Sequence, residues 1–220
     1  RARVLRMDLD TTSRRGAHRR LFESFLHGEA DVLVGTQMVA KGLHVPSVSL
    51  VGVVLADVGL NLPDIRAGER IFQLLYQVAG RAGRGSAPGH VVIQTYNPDH
   101  YALVAAAAQD YALFYKQELE YRRRLRNPPF SRLARLLYSH RNAALCQRGA
   151  EELARTLRQR AYAEGLADVE LVGPAPAFPP RLRGTYRWHL VLRGPDPRAF
   201  LEGLRVPQGW LWDIDPVTLL

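Results

Sequence analysis

Short apolar runs that alternate with helical periodicities constrain this chain more than any other feature. Val4–Met7 reads as a short strand; residues 31–35 (DVLVG) and 48–55 (VSLVGVVL) are almost wholly apolar, and residues 90–95 (HVVIQT) form a further strand-like run. Between the first two, residues 15–27 place Leu21, Phe22, Phe25 and Leu26 at helical spacing and end at Gly28. Residues 65–80 carry the same periodicity. An apolar run without alternation predicts a strand covered on both faces. Strands alternating with helices through short loops predict a parallel α/β sheet. Ligands of such sheets bind beyond the carboxyl ends of the strands, where the loop TQMVAKG (36–42) falls.

Residues 101–126 predict one long helix, with Leu103, Val104, Tyr111, Phe114, Tyr115 and Leu119 as its apolar positions. Asn127-Pro128-Pro129 stops it, because proline lacks the amide hydrogen and restricts the residue before it. The boundary expected here divides a first domain, 1–127, closed by a helix over 100–127, from a second, 128–220. The order then changes: a strand near 132–138, a helix over 143–164 and a strand at 169–172. A proline-rich stretch, GPAPAFPP (173–180), precedes a strand at 186–192, a short helix near 197–204 and a strand at 210–214. That pattern, βαββαβ, predicts a small α+β domain.

Composition narrows the chemistry. A net charge of +9 favours a polyanionic partner such as nucleic acid. Lys41 and Lys116 are the only lysines, so nearly all the positive charge is arginine, which pairs bidentately with phosphate. The lone Cys146 excludes a disulfide within the chain and a cysteine-based zinc site; it sits on an amphipathic helix as a buried small hydrophobe. The seven histidines are dispersed, so no metal site is expected. No apolar run reaches the length of a membrane span, no signal peptide is expected, and a reducing cytoplasm fits the cysteine count. The chain opens with RARVLRMDLD and not with Met, which suggests a piece of a longer protein.

Two segments carry chemistry. In QVAGRAGR (77–84), Arg81 and Arg84 are three residues apart and can share one side of a helical turn, while Gly80 and Gly83 leave room for backbone or phosphate. An arginine so held can stabilise charge on a transferring phosphoryl group. The plainer alternative is a glycine-ended helix whose arginines are solvated or cap its carboxyl terminus. In the second segment, Arg181, Arg183, Tyr186, Arg187 and Trp188 interleave cations with rings, which suits single-stranded nucleic acid. Strand alternation puts Tyr186 and Trp188 on one side and Arg187 on the other; core aromatics with solvated arginines are the alternative. Asp57, Asp64 and Glu69 form no acidic pair; Asp64, Arg66, Glu69 and Arg70 are expected to make local ion pairs at a helix start. Trp210 and Trp212 are expected in the core.

These segments resemble known ones. Q-x-x-G-R-x-G-R resembles motif VI of superfamily 2 helicases, and GTQMVAKGLHVPSVSLVGVVLAD (35–57) resembles motif V with its following strand. LPDIRAGERIFQLLYQVAGRAGRG (62–85) is similar to the pattern of the PriA family of primosomal DNA helicases, as are MDLDTTSRRG upstream, GHVVIQTYNPDH downstream, and Glu120, Arg123 and Pro128–Phe130 at the close of the lobe. GPAPAFPPRLRGTYRWHL (173–190) resembles that family's C-terminal signature. The likeness runs along essentially the whole chain.

The resemblance implies a RecA-like second motor lobe followed by the small α+β domain. It implies that Arg84 reaches the γ-phosphate of ATP held by another lobe, with Arg81 and Gln77 as companions and Gly80 at the cleft. It places Thr36 and Gln37 near the DNA backbone and Lys41 and Gly42 between DNA and nucleotide. His44 stands where many relatives carry a ribose-binding acid, which argues against that contact here. Arg183, Tyr186, Arg187 and Trp188 become the C-terminal DNA-binding candidates. Thr185 and His189 depart from the Arg and Gln of some members at the site for the acidic tail of single-stranded-DNA-binding protein.

The chain contains neither G-x-x-x-x-G-K-[ST] nor a DExH-like motif, so ATP and Mg²⁺ are expected to be held mostly by a preceding lobe, and Zn²⁺ only in an upstream cysteine-rich region. The function implied is that of an ATP-dependent helicase acting on forked or single-stranded DNA in a bacterial, nucleoid-associated setting, restarting replication with primosome and helicase-loading proteins. The alternative is a non-enzymatic DNA-binding scaffold that keeps an inactive motor lobe.

Overall fold

A computed structural model of the chain describes residues 1–8, 10–12, 16–36, 45, 47–80, 89–204 and 207–220. They form two compact units, one of residues 1–61 with 68–115, the other of 62–67 with 116–220.

The first unit begins with a βαβ element. Strand β1 (Val4–Met7) and strand β2 (Val32–Gly35) pair in parallel, joined by helix α1 (Ala17–Leu26). Arg3 fixes their entry: its guanidinium and its backbone amide both donate to the Asp31 carboxylate, at 2.6 and 2.8 Å, which holds that carboxyl at about 2. A second parallel pair, β3 (Leu50–Val53) with β4 (His90–Ile93), is separated in sequence by α2 (Asp57–Leu60) and α3 (Ala67–Ala79). Two further helices follow, α4 (Tyr101–Ala107) and α5 (Tyr111–Arg124). Ile71, Phe72 and Leu75 of α3 pack with Ala102, Leu103, Ala105, Ala106 and Phe114, and Phe72 lies flat on Phe114 with ring centroids 4.0 Å apart.

Two expectations need correction here. The single helix over 101–126 is two helices, because the Asp110 carboxylate accepts the Leu113 amide at 2.9 Å and Gln109 adopts a φ of 52°, so the chain turns and starts again. The apolar strands are also not covered on both faces: Val32 and Val34 are 41% and 51% exposed. An apolar run shows that both faces can be covered, not that the covering layer lies close by.

The second unit is built on a four-stranded antiparallel sheet of order β6-β7-β5-β8: β5 (Arg132–His140), β6 (Glu170–Leu182), β7 (Thr185–Gly194) and β8 (Trp210–Ile214). Helix α6 (Ala143–Ala163), capped by Asn142, lays Cys146, Ala150, Leu153, Ala154 and Leu157 on one face of the sheet, and α7 (Pro197–Leu201) adds Phe200 and Leu201. The expected βαββαβ order is observed. The proline-rich stretch, expected as a break between strands, is instead the middle of β6. Proline has no amide to donate, and β6 is an edge strand, where that donor is dispensable; the pairing slips between Val172 and Ala175 and again between Pro176 and Arg181. Trp210 packs on the core as expected, whereas Trp212 is 40% exposed.

Close approach of α6 to the sheet requires Gly149, where a Cβ would stand 2.7 Å from the Tyr138 ring, itself stacked on Trp210 at 5.1 Å. Alanine normally stabilises a helix by about 1 kcal/mol relative to glycine. Here the clash reverses the sign: Gly149→Ala is expected to lower the stability of this unit by about 1–3 kcal/mol in urea unfolding.

Candidate functional site

Helix α3 buries Ile71, Phe72, Leu75 and Val78, a stripe at helical spacing, and that fixes which side faces outward. Gln73, Tyr76 and Gln77 fall on the exposed side, so the Gln77 amide is free to meet a ligand at the end of the helix. Gly80 follows, also exposed, with its amide donating to Tyr76 O at 3.2 Å. Among the described residues a Cβ on Gly80 would meet nothing closer than Tyr76 O at 3.6 Å. Arg81 and Arg84 lie outside the described residues, as do Gln37, Lys41, Gly42 and His44. Thr36 is exposed directly after the carboxyl end of β2.

Asp57 braces the carboxyl ends of β3 and β4. It is buried and accepts hydrogen bonds from the Thr95 hydroxyl and the Tyr96 amide, each at 3.1 Å. Burial pushes its pKa up, but the Tyr96 amide and the Thr95 hydroxyl outweigh that and hold it below the usual carboxylate range. Asp57 is thus a structural clamp and not an acid for catalysis. Asp64 is likewise committed, accepting the Arg66 amide at 2.8 Å and, on its other oxygen, the Leu219 amide at 3.1 Å and the Thr218 hydroxyl.

In the second unit, strand register sorts the aromatic and cationic candidates. Tyr186 and Trp188 pair with His140 and Tyr138, on the face that α6 covers. Arg187 points to the opposite face, where its guanidinium donates to Pro179 O at 3.3 Å. The turn between β6 and β7 carries Arg183 and Gly184, both at positive φ (48° and 83°), the conformation of a tight hairpin, so Arg183 is thrust into solvent. Arg181 stacks over the Tyr186 ring at 5.3 Å. The four candidates 183, 186, 187 and 188 therefore do not share one face of the sheet; Arg181 and Tyr186 do meet.

The face opposite α6 holds a group that sequence reasoning missed. Arg135 is buried in the middle of β5, donates to Leu220 O at 2.8 Å, and among the described residues its Nε and Nη2 meet no acceptor. His189, two positions along β7 from Arg187, also has Nδ1 buried without a partner among the described residues. Alternation within β5 places Arg135 on that face, but nothing in the local sequence distinguishes a buried arginine from a solvated one. Two cation–ring pairs stand at the end of α5, Arg123 over Phe130 at 4.8 Å and Arg124 over Tyr121 at 5.6 Å; the resemblance names Arg123 and Phe130, though not their contact. The neighbouring Arg122 is paired with the buried Glu118 at 2.6 Å. Cys146 is wholly buried, and burial pushes its thiol up, as befits a packing residue. Among the described residues no group of three or more His, Cys, Asp or Glu could hold a metal ion, and no helix is long and apolar enough to cross a membrane.

Comparison with known proteins defines the class. Residues 2–86 match the family described as helicase conserved C-terminal domain, and residues 123–217 match the primosomal protein N C-terminal domain, so a RecA-like helicase lobe precedes a primosomal domain. The replication restart protein PriA of Bacillus subtilis is 47% identical over 87% of this chain and 23% of its own length. That of Synechocystis is 45% identical over 88% and 23%, and that of Treponema pallidum 40% identical over 99% and 34%. The chain belongs to the PriA family, whose C-terminal region it matches, and it spans about a quarter to a third of the length of these relatives.

The geometry around His189 has a measurable consequence. Burial, then Arg135 and Arg187, push its pKa below the ordinary histidine value. The unfolded chain therefore binds the proton more readily, and stability conferred by the neutral ring, complete above about 6.5, falls as pH drops through that value toward the folded pKa. Thermal melts between pH 7.5 and 5 are expected to show this loss in the wild-type chain and a smaller one in His189→Gln.

Proposed function

We propose that the chain is the C-terminal part of an ATP-dependent DNA helicase that binds forked or single-stranded DNA and restarts replication by primosome assembly. The observation that carries this reading is chain order: a helicase C-terminal domain followed directly by a primosomal one, in a family named for replication restart. The exposed Gln77 at the end of α3 supports it, because the sequence runs on from there to Arg81 and Arg84.

In this reading ATP with Mg²⁺ sits mainly on a preceding lobe and supplies the driving hydrolysis. This chain contributes guanidinium groups from Arg84 and Arg81 and an amide from Gln77 toward its phosphates, with Gly80, Gly42 and Lys41 lining the approach. Thr36 and Gln37 donate to the DNA backbone, which positions the strand without reading sequence. Arg181, Arg183 and the half-exposed Tyr186 form a second contact; Arg187 and Trp188, turned away from one another, cannot both join it. Partners on this account are DNA, helicase-loading proteins and the acidic tail of single-stranded-DNA-binding protein, in the bacterial cytoplasm at the nucleoid. At the tail site Thr185 and a neutral His189 offer fewer cations than Arg and Gln would.

Two measurements test the reading. In the full-length protein, Arg84→Ala is expected to lower DNA-stimulated ATP hydrolysis by a factor of about 10³ or more while DNA affinity stays near normal; unchanged turnover would remove Arg84 from the phosphate. Absence of any DNA-stimulated hydrolysis in the unaltered protein would leave a scaffold. For this chain alone, single-stranded DNA affinity should fall with salt, and Arg181→Ala with Arg183→Ala should flatten the log–log slope by about 1.4, since each phosphate that an arginine neutralises contributes about 0.7. An unchanged slope would move the DNA-binding surface elsewhere.

A further inference from the structure

Asp57 is buried, and a buried carboxylate has to be matched by donors. It takes them from one loop of the first unit. Its Oδ1 accepts the Thr95 hydroxyl and its Oδ2 the Tyr96 amide, each at 3.1 Å. The Thr95 hydroxyl oxygen in turn accepts the Asn97 amide at 3.0 Å. On the strand side, Gln94 N donates to Val53 O at 2.9 Å and Ala56 N donates to Gln94 O at 3.0 Å. On the other side, His100 N donates to Asn97 O at 3.2 Å, and His100 caps α4. The loop 94–100 is thus held along its backbone from the carboxyl edge of the β3–β4 pair to the next helix. The Tyr96 side chain takes no part in this. It is 86% exposed, and among the described residues it makes no hydrogen bond, ring stack or cation contact. It stands just past the carboxyl end of β4, the edge at which parallel sheets bind ligands.

We propose that Tyr96 is a nucleobase-stacking residue: its ring, displayed by the loop that Asp57 anchors at the carboxyl edge of β3 and β4, takes the flat face of one base. A phenol ring offers a π face and turns on only two torsions, so little freedom is lost when a base lies on it. The backbone beneath it is ordered before any ligand arrives, which lowers the cost of binding further. Its sequence neighbours with exposed side chains, Gln94 and Asn97, offer amide donors and acceptors but no charge, as suits the edge of a base. A net charge of +9 draws a polyanion, and a strand held by its phosphates still needs rings for its bases. Two molecules carry such a base here, single-stranded DNA and ATP. The inference rests on the nucleic-acid reading proposed above, and the arms of its test separate the two sources.

In the 220-residue chain, affinity for oligothymidylate, read by fluorescence anisotropy, should fall about fivefold or more in Tyr96→Ala and stay within about twofold in Tyr96→Phe, which keeps the ring. The log–log salt slope should not move, because stacking neutralises no phosphate, whereas loss of an arginine contact flattens it. An abasic strand of equal length should bind the unaltered chain and Tyr96→Ala alike. Tyr162 is the control: it is 91% exposed in the last turn of α6, and Tyr162→Ala should leave affinity as it was. In the full-length protein, a Kd for ATP raised in Tyr96→Ala would make adenine the base, and a loss confined to the oligonucleotide would make it DNA. Unchanged affinity for both overturns the proposal. So does an equal loss in Tyr96→Phe, in Tyr162→Ala or on the abasic strand. If the unaltered chain binds no oligonucleotide, the DNA-binding reading fails by itself, and an unchanged Kd for ATP then removes Tyr96 as well.

Discussion

Helix α3 can bury only one of its sides, and the orientation of everything attached to its end depends on that. Ile71, Phe72, Leu75 and Val78 take the buried side, and the flat stack of Phe72 on Phe114 sets the helix's rotation about its own axis. Burial of such a stripe is worth about 1.5–3 kcal/mol per large side chain, far more than any surface hydrogen bond Gln77 could make in the other rotation. The amide of Gln77 is therefore outward because the phenylalanine is inward.

In the second unit the same logic acts through period two. On β7, residues alternate between a face sealed by α6 and a face carrying Arg187, His189 and, across on β5, the buried Arg135. Aromatic residues adjacent to arginines in sequence are thereby separated in space by the thickness of the sheet. Burial, with Arg187 nearby, pushes the Arg135 guanidinium below its ordinary value, and Asp213 and Asp64 offset part of that. Positive charge on that face is held in check by carboxylates from two different parts of the chain.

Much of this architecture was legible in the sequence. Strand β1 at Val4–Met7 and β8 at Trp210–Ile214 fall where apolar runs put them, and α6 begins at Ala143, where the helix over 143–164 is expected. The misses share a cause: local sequence states what a segment tolerates, not what surrounds it. The Ala-rich stretch before Asp110 tolerates continuous helix, but a side-chain acceptor for Leu113 N at that point ends one helix and begins another. Proline tolerates a strand wherever no neighbour needs its amide, and only the sheet order reveals that β6 has such an edge. Of the candidate site, the opposed faces of Tyr186 and Arg187 follow from strand alternation, whereas Gln77 comes from the resemblance. The partners of Arg135 and Asp64 do not follow from local sequence, because they lie 85 and 155 residues away.

Whether the segment 77–84 meets a nucleotide phosphate decides the motor reading. An ATP analogue with a photoreactive group on the γ-phosphate, cross-linked in the full-length protein and mapped by mass spectrometry, tests this directly. Label is expected on the peptide containing residues 77–84, and it should vanish when unmodified ATP competes. Label that ATP competes away but that never reaches this peptide would refute the arginine-bearing segment as a nucleotide contact.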